Sequence, residues 1–564
     1  MLNSFNFVLR KLSFPIFLIL FVGCKQEKPV EEVVLWQPYN DSIEVAANAD
    51  HEIGRMQYKL IQSKVLDKND VFLPLYDEVS KMTDDEYETL KPLILEQNIF
   101  SLQQLIDEDK LSYEELTLFY LYRIYKYELD NATTLNTVIA LNDEVVEQAR
   151  ALDKLKSEGN HPSSKHPIYG MPILLKDNIN TAGMKTTAGA IALMDNDVED
   201  AFIVKRLKEE GALILGKVNL SEWAYFLCSG CPVGYSAVGG QTLNPYGRRV
   251  FETGGSSSGS GTSVAANYAV AAVGTETSGS ILSPSSQNSV VGLKPTIGLL
   301  SRSGIVPISS TLDTPGPMTK NVLDNALLLS AMTGYDGTDS KSVQEQYPGI
   351  ISAGMHPTDF SQMRLGAFKN LMESDSIYRT TIENLRAKGA EITEFTPPEV
   401  AMDGFLSILN IDMKNDLPAY IETHTNPEKV KIKSISDAVT FNAADSLTRI
   451  PYGQALFEGI LADSTTTEGL EEVKTTLENN GRTFFDTALD AHDLDAILSI
   501  NNYHAGYAAV AKYPALTIPM GYKTSGEPIS LTFIGKPFSE ADLLRLGAAY
   551  EKEFPNRKMP KGYE

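Results

Sequence analysis

Gly254-Gly255-Ser256-Ser257-Ser258-Gly259-Ser260-Gly261-Thr262-Ser263 runs without a break into Val264-Ala265-Ala266-Asn267-Tyr268-Ala269-Val270-Ala271-Ala272-Val273. A flexible Gly/Ser linker would be flanked by polar chain. Here the continuation is small and apolar, and only a protein interior accommodates it. The Gly/Ser segment is therefore a loop pinned against a buried element, which makes it a site candidate. A second loop, Gly274-Thr275-Glu276-Thr277-Ser278-Gly279-Ser280, follows at once and again leads into apolar chain.

On either side of these loops the pattern is that of an α/β sheet core. Short apolar runs such as Pro172-Ile173-Leu174-Leu175 and Ala212-Leu213-Ile214-Leu215 alternate with helical stretches such as 200–210. Ala515-Leu516-Thr517-Ile518-Pro519 and Ile529-Ser530-Leu531-Thr532-Phe533, separated by the turn Lys523-Thr524-Ser525-Gly526, predict a hairpin. Ser539-Glu540-Ala541-Asp542 predicts a capped last helix. Upstream, about 44 to 150 reads as amphipathic helices. One of them starts at the capping box Ser112-Tyr113-Glu114-Glu115, and Asn160-His161-Pro162-Ser163-Ser164 marks the loop that follows.

Three chemistries use such loops. Phosphate cradling needs G-x-x-x-x-G-K-[ST]; Gly211 to Lys217 comes close but continues with Val218 and contains a buried-strand pattern, which discards it. A nucleophile elbow fits Gly255-Ser256-Ser257-Ser258-Gly259 with Ser257 at its centre and Asp490, His492 or His504 as later partners, but the chain before it is turn-like where an elbow needs a strand. The third is a serine hydrolase whose base is a lysine, which requires burial to pull the amine down from about 10.4 towards neutrality. Lys176, after Met171-Pro172-Ile173-Leu174-Leu175, meets that need; the plainer alternative is a strand-end lysine paired to Asp177.

Lys176-Asp177-Asn178, the two Gly/Ser loops and Gly292-Leu293-Lys294-Pro295-Thr296, in this order and spacing, resemble the amidase signature family across roughly 95–555. The resemblance implies a large mixed central β-sheet flanked by helices. It also implies Ser280 as nucleophile, Ser256 as bridging serine in a cis peptide with Ser257, and Lys176 as base. The backbone N–H groups of Thr277, Ser278, Gly279 and Ser280 would form an oxyanion hole. No metal or organic cofactor is implied. Leu282 stands where many members carry an arginine, and Ser278 where an aspartate or glycine is common. Gly298 to Ile308 and Asp313-Thr314-Pro315-Gly316-Pro317-Met318 look most like the peptide amidase branch, which removes ammonia from C-terminal peptide amides. Within the fold the alternative is an amidase of aryl, alkyl or fatty acyl amides; outside it, an inactive peptide-binding lipoprotein.

Composition sets the partners. The chain of 564 residues is 43% hydrophobic and 22% charged, an ordinary globular balance, and its net charge of −24 repels nucleic acid. Arg10 and Lys11 precede the apolar run Phe14 to Val22, too short to span a bilayer and right for a signal peptide. Its end, Phe21-Val22-Gly23-Cys24, resembles a bacterial lipoprotein box, with Cys24 lipidated. The expected organisation is a signal peptide at 1–23, a tether at 24–43, a helical extension at 44–94, the amidase domain at 95–555 and a tail at 556–564. The expected location is the cell envelope, with a lipid anchor and without an obligate partner subunit. Cys228-Ser229-Gly230-Cys231 lacks the further ligands of a zinc site and reads as a structural disulfide or two quiet thiols.

Overall fold

Eleven strands form one mixed sheet: β1 (Val138–Leu141), β2 (Pro172–Lys176), β3 (Leu213–Val218), β4 (Ala271–Glu276), β5 (Val291–Lys294), β6 (Thr314–Thr319), β7 (Arg364–Phe368), β8 (Glu391–Phe395), β9 (Ala496–Ile500), β10 (Ala515–Tyr522) and β11 (Pro528–Ile534). The computed structural model describes residues 33–160, 162, 164–344 and 349–564. Across the sheet the order is β1-β3-β2-β4-β6-β5-β10-β11-β9-β7-β8. β2 runs parallel to both β3 and β4, and β9 parallel to β7; β10 and β11 form the expected hairpin, with Ala515 opposite Ile534. The central strands are buried on both faces, as expected for near-continuous apolar runs covered by helices.

Cys24 and the whole predicted signal peptide lie outside the described residues. Residues 35–564 form one compact unit. Within it, Met56, Phe72, Tyr87 and Ile94 from the predicted extension join the same apolar core as the sheet, and so does Tyr563 from the tail. Ser112 caps the helix Tyr113–Glu128 through the expected box. The last helix, Glu540–Glu553, differs from expectation. The Ser539 hydroxyl makes no capping bond and donates instead to Lys536 O, and the buried Glu540 carboxylate accepts the N–H of Thr296 across the fold.

The first Gly/Ser loop also departs from its reading as a loop. Its second half is the helix Ser258–Ala265, with every residue buried. Glycine costs a helix about 1 kcal/mol relative to alanine, and close packing offsets that here. A Cβ on Gly259 would lie 2.5 Å from Asn219 O, so only a side-chain-free surface lets this helix seat against the end of β3.

Candidate active site

β2 and β4 are parallel neighbours, so both open on the same edge of the sheet, the edge where α/β folds place their sites. β2 ends at Lys176 and β4 at Glu276. Lys176 is fully buried, and its three ammonium donors are all used: Nζ lies 2.8 Å from Ser256 Oγ, 2.7 Å from Thr275 Oγ1 and 3.1 Å from Thr275 O. Among the described residues no carboxylate pairs with it. Asp177 turns instead to Lys217, 3.1 Å away, in a pair with no solvent exposure, which removes the strand-end pairing. Burial pulls the Lys176 amine down to about 7, against the opposing fields of Asp313 and Glu276.

The second loop is tied to the first by the Ser257 N–H, which donates to Ser280 O at 3.2 Å. Lys176 and Ser256 are thus in direct contact, and the backbone of Ser280 is bound to the residue beside Ser256. Ser280 is half-buried, and its hydroxyl has no partner among the described residues. The cis peptide bond joins Gly255 to Ser256, one residue earlier than expected. The Ser256–Ser257 bond instead leads into the helix whose N-cap is Ser257, while Gly255 sits where a Cβ would lie 2.5 Å from Val233 Cγ1. Ser257 itself is structural. Its Oγ donates to Thr275 O at 3.0 Å and accepts from Thr275 N–H, whereas Asp490 pairs with Lys536 and His504 with Ser499. The elbow constellation is therefore not assembled.

The turn from Thr277 to Ser280 is shaped by a residue the sequence reading quoted but gave no role. The buried carboxylate of Glu276 accepts the N–H groups of Ile281 (2.7 Å) and Leu282 (3.0 Å) through one oxygen. Gly279 adopts φ +90°, a conformation that side chains rarely tolerate. With the following N–H groups held by Glu276, those of Thr277, Ser278, Gly279 and Ser280 have no protein acceptor among the described residues. Such a row of free donors suits an oxyanion.

Asp313, Asn178 and Thr275 are further members that the family motifs did not single out for a role. Asp313 accepts from Thr277 Oγ1 (2.5 Å) and from the N–H groups of Ile308 and Ser309, and its burial raises the carboxyl to about 6. Asn178 Nδ2 donates to Thr275 Oγ1 at 3.0 Å, steadying the hydroxyl that receives Lys176. A cavity of about 390 Å³ opens beside this group, with Asn178, Thr275, Thr277, Ile305, Asp416 and Tyr420 among its lining. Leu282, at the position where an arginine is common in the family, is buried. Cys228 and Cys231 form a disulfide.

A family model described as Amidase matches residues 115–499. The chain is 37% identical to an Arabidopsis thaliana protein described as a probable amidase, over 83% of this chain and 92% of that one. Its fold superposes on an amidase family protein from Bacillus anthracis with a TM-score of 0.82 and 38% identity, covering 89% of this chain and all of the other. The peptide amidase from Stenotrophomonas maltophilia matches with a TM-score of 0.75 and 35% identity, over 83% and 98% of the two chains.

Proposed function

The chain belongs to the amidase family, and from that premise we propose that it hydrolyses the C-terminal carboxamide of peptides to carboxylate and ammonia through an acyl-Ser280 intermediate. The observation that carries this reading is Lys176, an amine buried without a counter-ion, held near neutrality and bonded to Ser256. Ser280 Oγ attacks the carboxamide carbon while its proton passes to Ser256 and that of Ser256 to Lys176. The negative oxygen of the tetrahedral intermediate is met by the N–H groups of Thr277 to Ser280. As the C–N bond breaks, the relay runs backwards and the proton leaves with ammonia. Water, deprotonated by the same relay, then cleaves the acyl ester and returns Ser280 to its hydroxyl.

The likeness to the peptide amidase supports peptides as the acyl part, and the cavity beside Thr275 and Thr277 is large enough for side chains of the substrate. The test is ammonia release from C-terminally amidated peptides, simple aryl and alkyl amides, fatty acyl amides and glutamine. Release is expected from the peptide amides. Release confined to the aryl, alkyl or fatty acyl amides moves the substrate class within the fold, and silence with peptide binding intact sinks the hydrolytic reading.

We further propose that Cys24 carries a lipid that holds the protein at the cell envelope, supported by the signal-like segment that ends there. Cys24→Ser is expected to move the protein from the membrane fraction to the soluble one. Unchanged fractionation overturns the anchor.

A further inference from the structure

The turn that carries the free N–H groups is faced by a second segment, remote in sequence, in which one side chain, that of Asn502, has no partner among the described residues. β9 ends at Ile500, and the chain then turns through Asn501-Asn502-Tyr503-His504 before the helix Ala505–Ala511. Asn501 is locked on three sides. Its N–H donates to Ser530 O at 3.0 Å, its Oδ1 accepts Ser530 N–H at 2.8 Å, and its carbonyl accepts Thr532 Oγ1 at 2.5 Å. Its φ of 48° turns the chain sharply at that point. The next residue is thereby presented at a fixed place.

That place is the oxyanion turn. A Cβ on Gly279 would lie 3.0 Å from Asn502 Nδ2 and 3.5 Å from Ala505 Cβ, and a Cβ on Gly506 would lie 3.9 Å from Ser278 Oγ. The two segments therefore pack face to face, and the missing side chain of Gly279 is what lets the carboxamide approach. Asn501 uses its side-chain oxygen within the fold, whereas the half-buried side chain of Asn502 has no hydrogen-bond partner among the described residues. A free carboxamide held beside four free backbone donors is placed to join them on an oxygen that arrives with the substrate.

We propose that Asn502 is a further catalytic residue, its Nδ2 donating to the oxygen of the reacting carboxamide alongside the backbone N–H groups. The proposal rests on the amidase reading above. Removing one side-chain donor of this kind lowers kcat about 10²- to 10³-fold. Asn502→Asp keeps the shape and replaces the donor with an acceptor, and Asn502→Ala removes both. Each is expected to lose kcat about 10²-fold with KM within a few-fold, and to weaken a peptide aldehyde, which mimics the tetrahedral state, by a similar factor. Ser280→Ala is assayed in parallel on the same peptide amide. If Ser280→Ala is inactive while both Asn502 variants keep kcat, the role of Asn502 is overturned and the amidase reading stands. If Ser280→Ala retains turnover, the amidase reading itself falls, and this proposal falls with it. A loss confined to KM, with aldehyde affinity unchanged, also overturns the assignment, since a donor that acts on the oxyanion must act on kcat.

Discussion

Ser280→Ala is expected to reduce turnover of a peptide amide by about 10⁴-fold or more, the scale seen when a nucleophile that works as part of a unit is removed. The loss should come without a loss of fold. The Ser280 hydroxyl has no protein partner among the described residues, so truncation leaves no orphaned group behind, and the Ser280 carbonyl still accepts from Ser257. Stability should stay within about 0.5 kcal/mol, the ordinary scatter for a change away from packing or hydrogen-bond networks. Single-turnover assays with the unaltered protein should trap an acyl ester at residue 280. A Ser280→Ala variant that releases ammonia at the original rate, or an ester found on Ser257, would falsify the nucleophile assignment.

Lys176→Met should also abolish turnover, and the pH profile of the unaltered protein gives an independent reading of the same residue. A lysine acts as a base only when neutral. With its amine at about 7, the neutral fraction is small below that value and nearly complete above it. The rate constant kcat/KM should therefore rise with pH, bend near 7 and level off. Two pH units below the bend it should stand at about 1% of the plateau, since each unit is a factor of ten. A profile still climbing tenfold per unit beyond pH 9 would mean an ordinary solvated lysine and would remove Lys176 from the mechanism. The chain should still fold, but the substitution takes the hydrogen-bond partner from the buried Ser256 hydroxyl, a loss of about 1 to 3 kcal/mol that relief from burying the amine offsets only in part. The melting temperature of Lys176→Met is expected to fall modestly below that of the unaltered chain.

The β10–β11 hairpin, the helix Phe202–Glu209 and the capped helix after Ser112 are all readable from local pattern, because each is decided by residues within a few positions of one another. The helix at Ser258–Ala265 is not. Its Gly-Ser-Gly-Thr-Ser composition disfavours helix locally, and only the close approach of Asn219 and Pro284 explains it. The same distinction divides the site. Lys176, Ser256 and Ser280 are legible because they stand in long ordered motifs, and the need for a desolvated base is a matter of residue type. Asp313, Asn178 and Asn502 are not, since nothing in their local sequence distinguishes a buried acceptor, a steadying amide and a free donor from ordinary turn residues.

By itself, then, the sequence determined the α/β architecture and the family, and it named Lys176, Ser256 and Ser280 as the candidate reacting group. Apolar periodicity and motif order are properties of neighbouring residues. Only the tertiary structure decided that Asp177 pairs with Lys217 and leaves Lys176 without a counter-ion, and that Glu276 folds back to free the N–H groups of the turn. It also brought Asn502 against Gly279. Desolvation and hydrogen-bond vacancy belong to the packed neighbourhood of a group, and that neighbourhood exists only once strands far apart in the chain lie side by side.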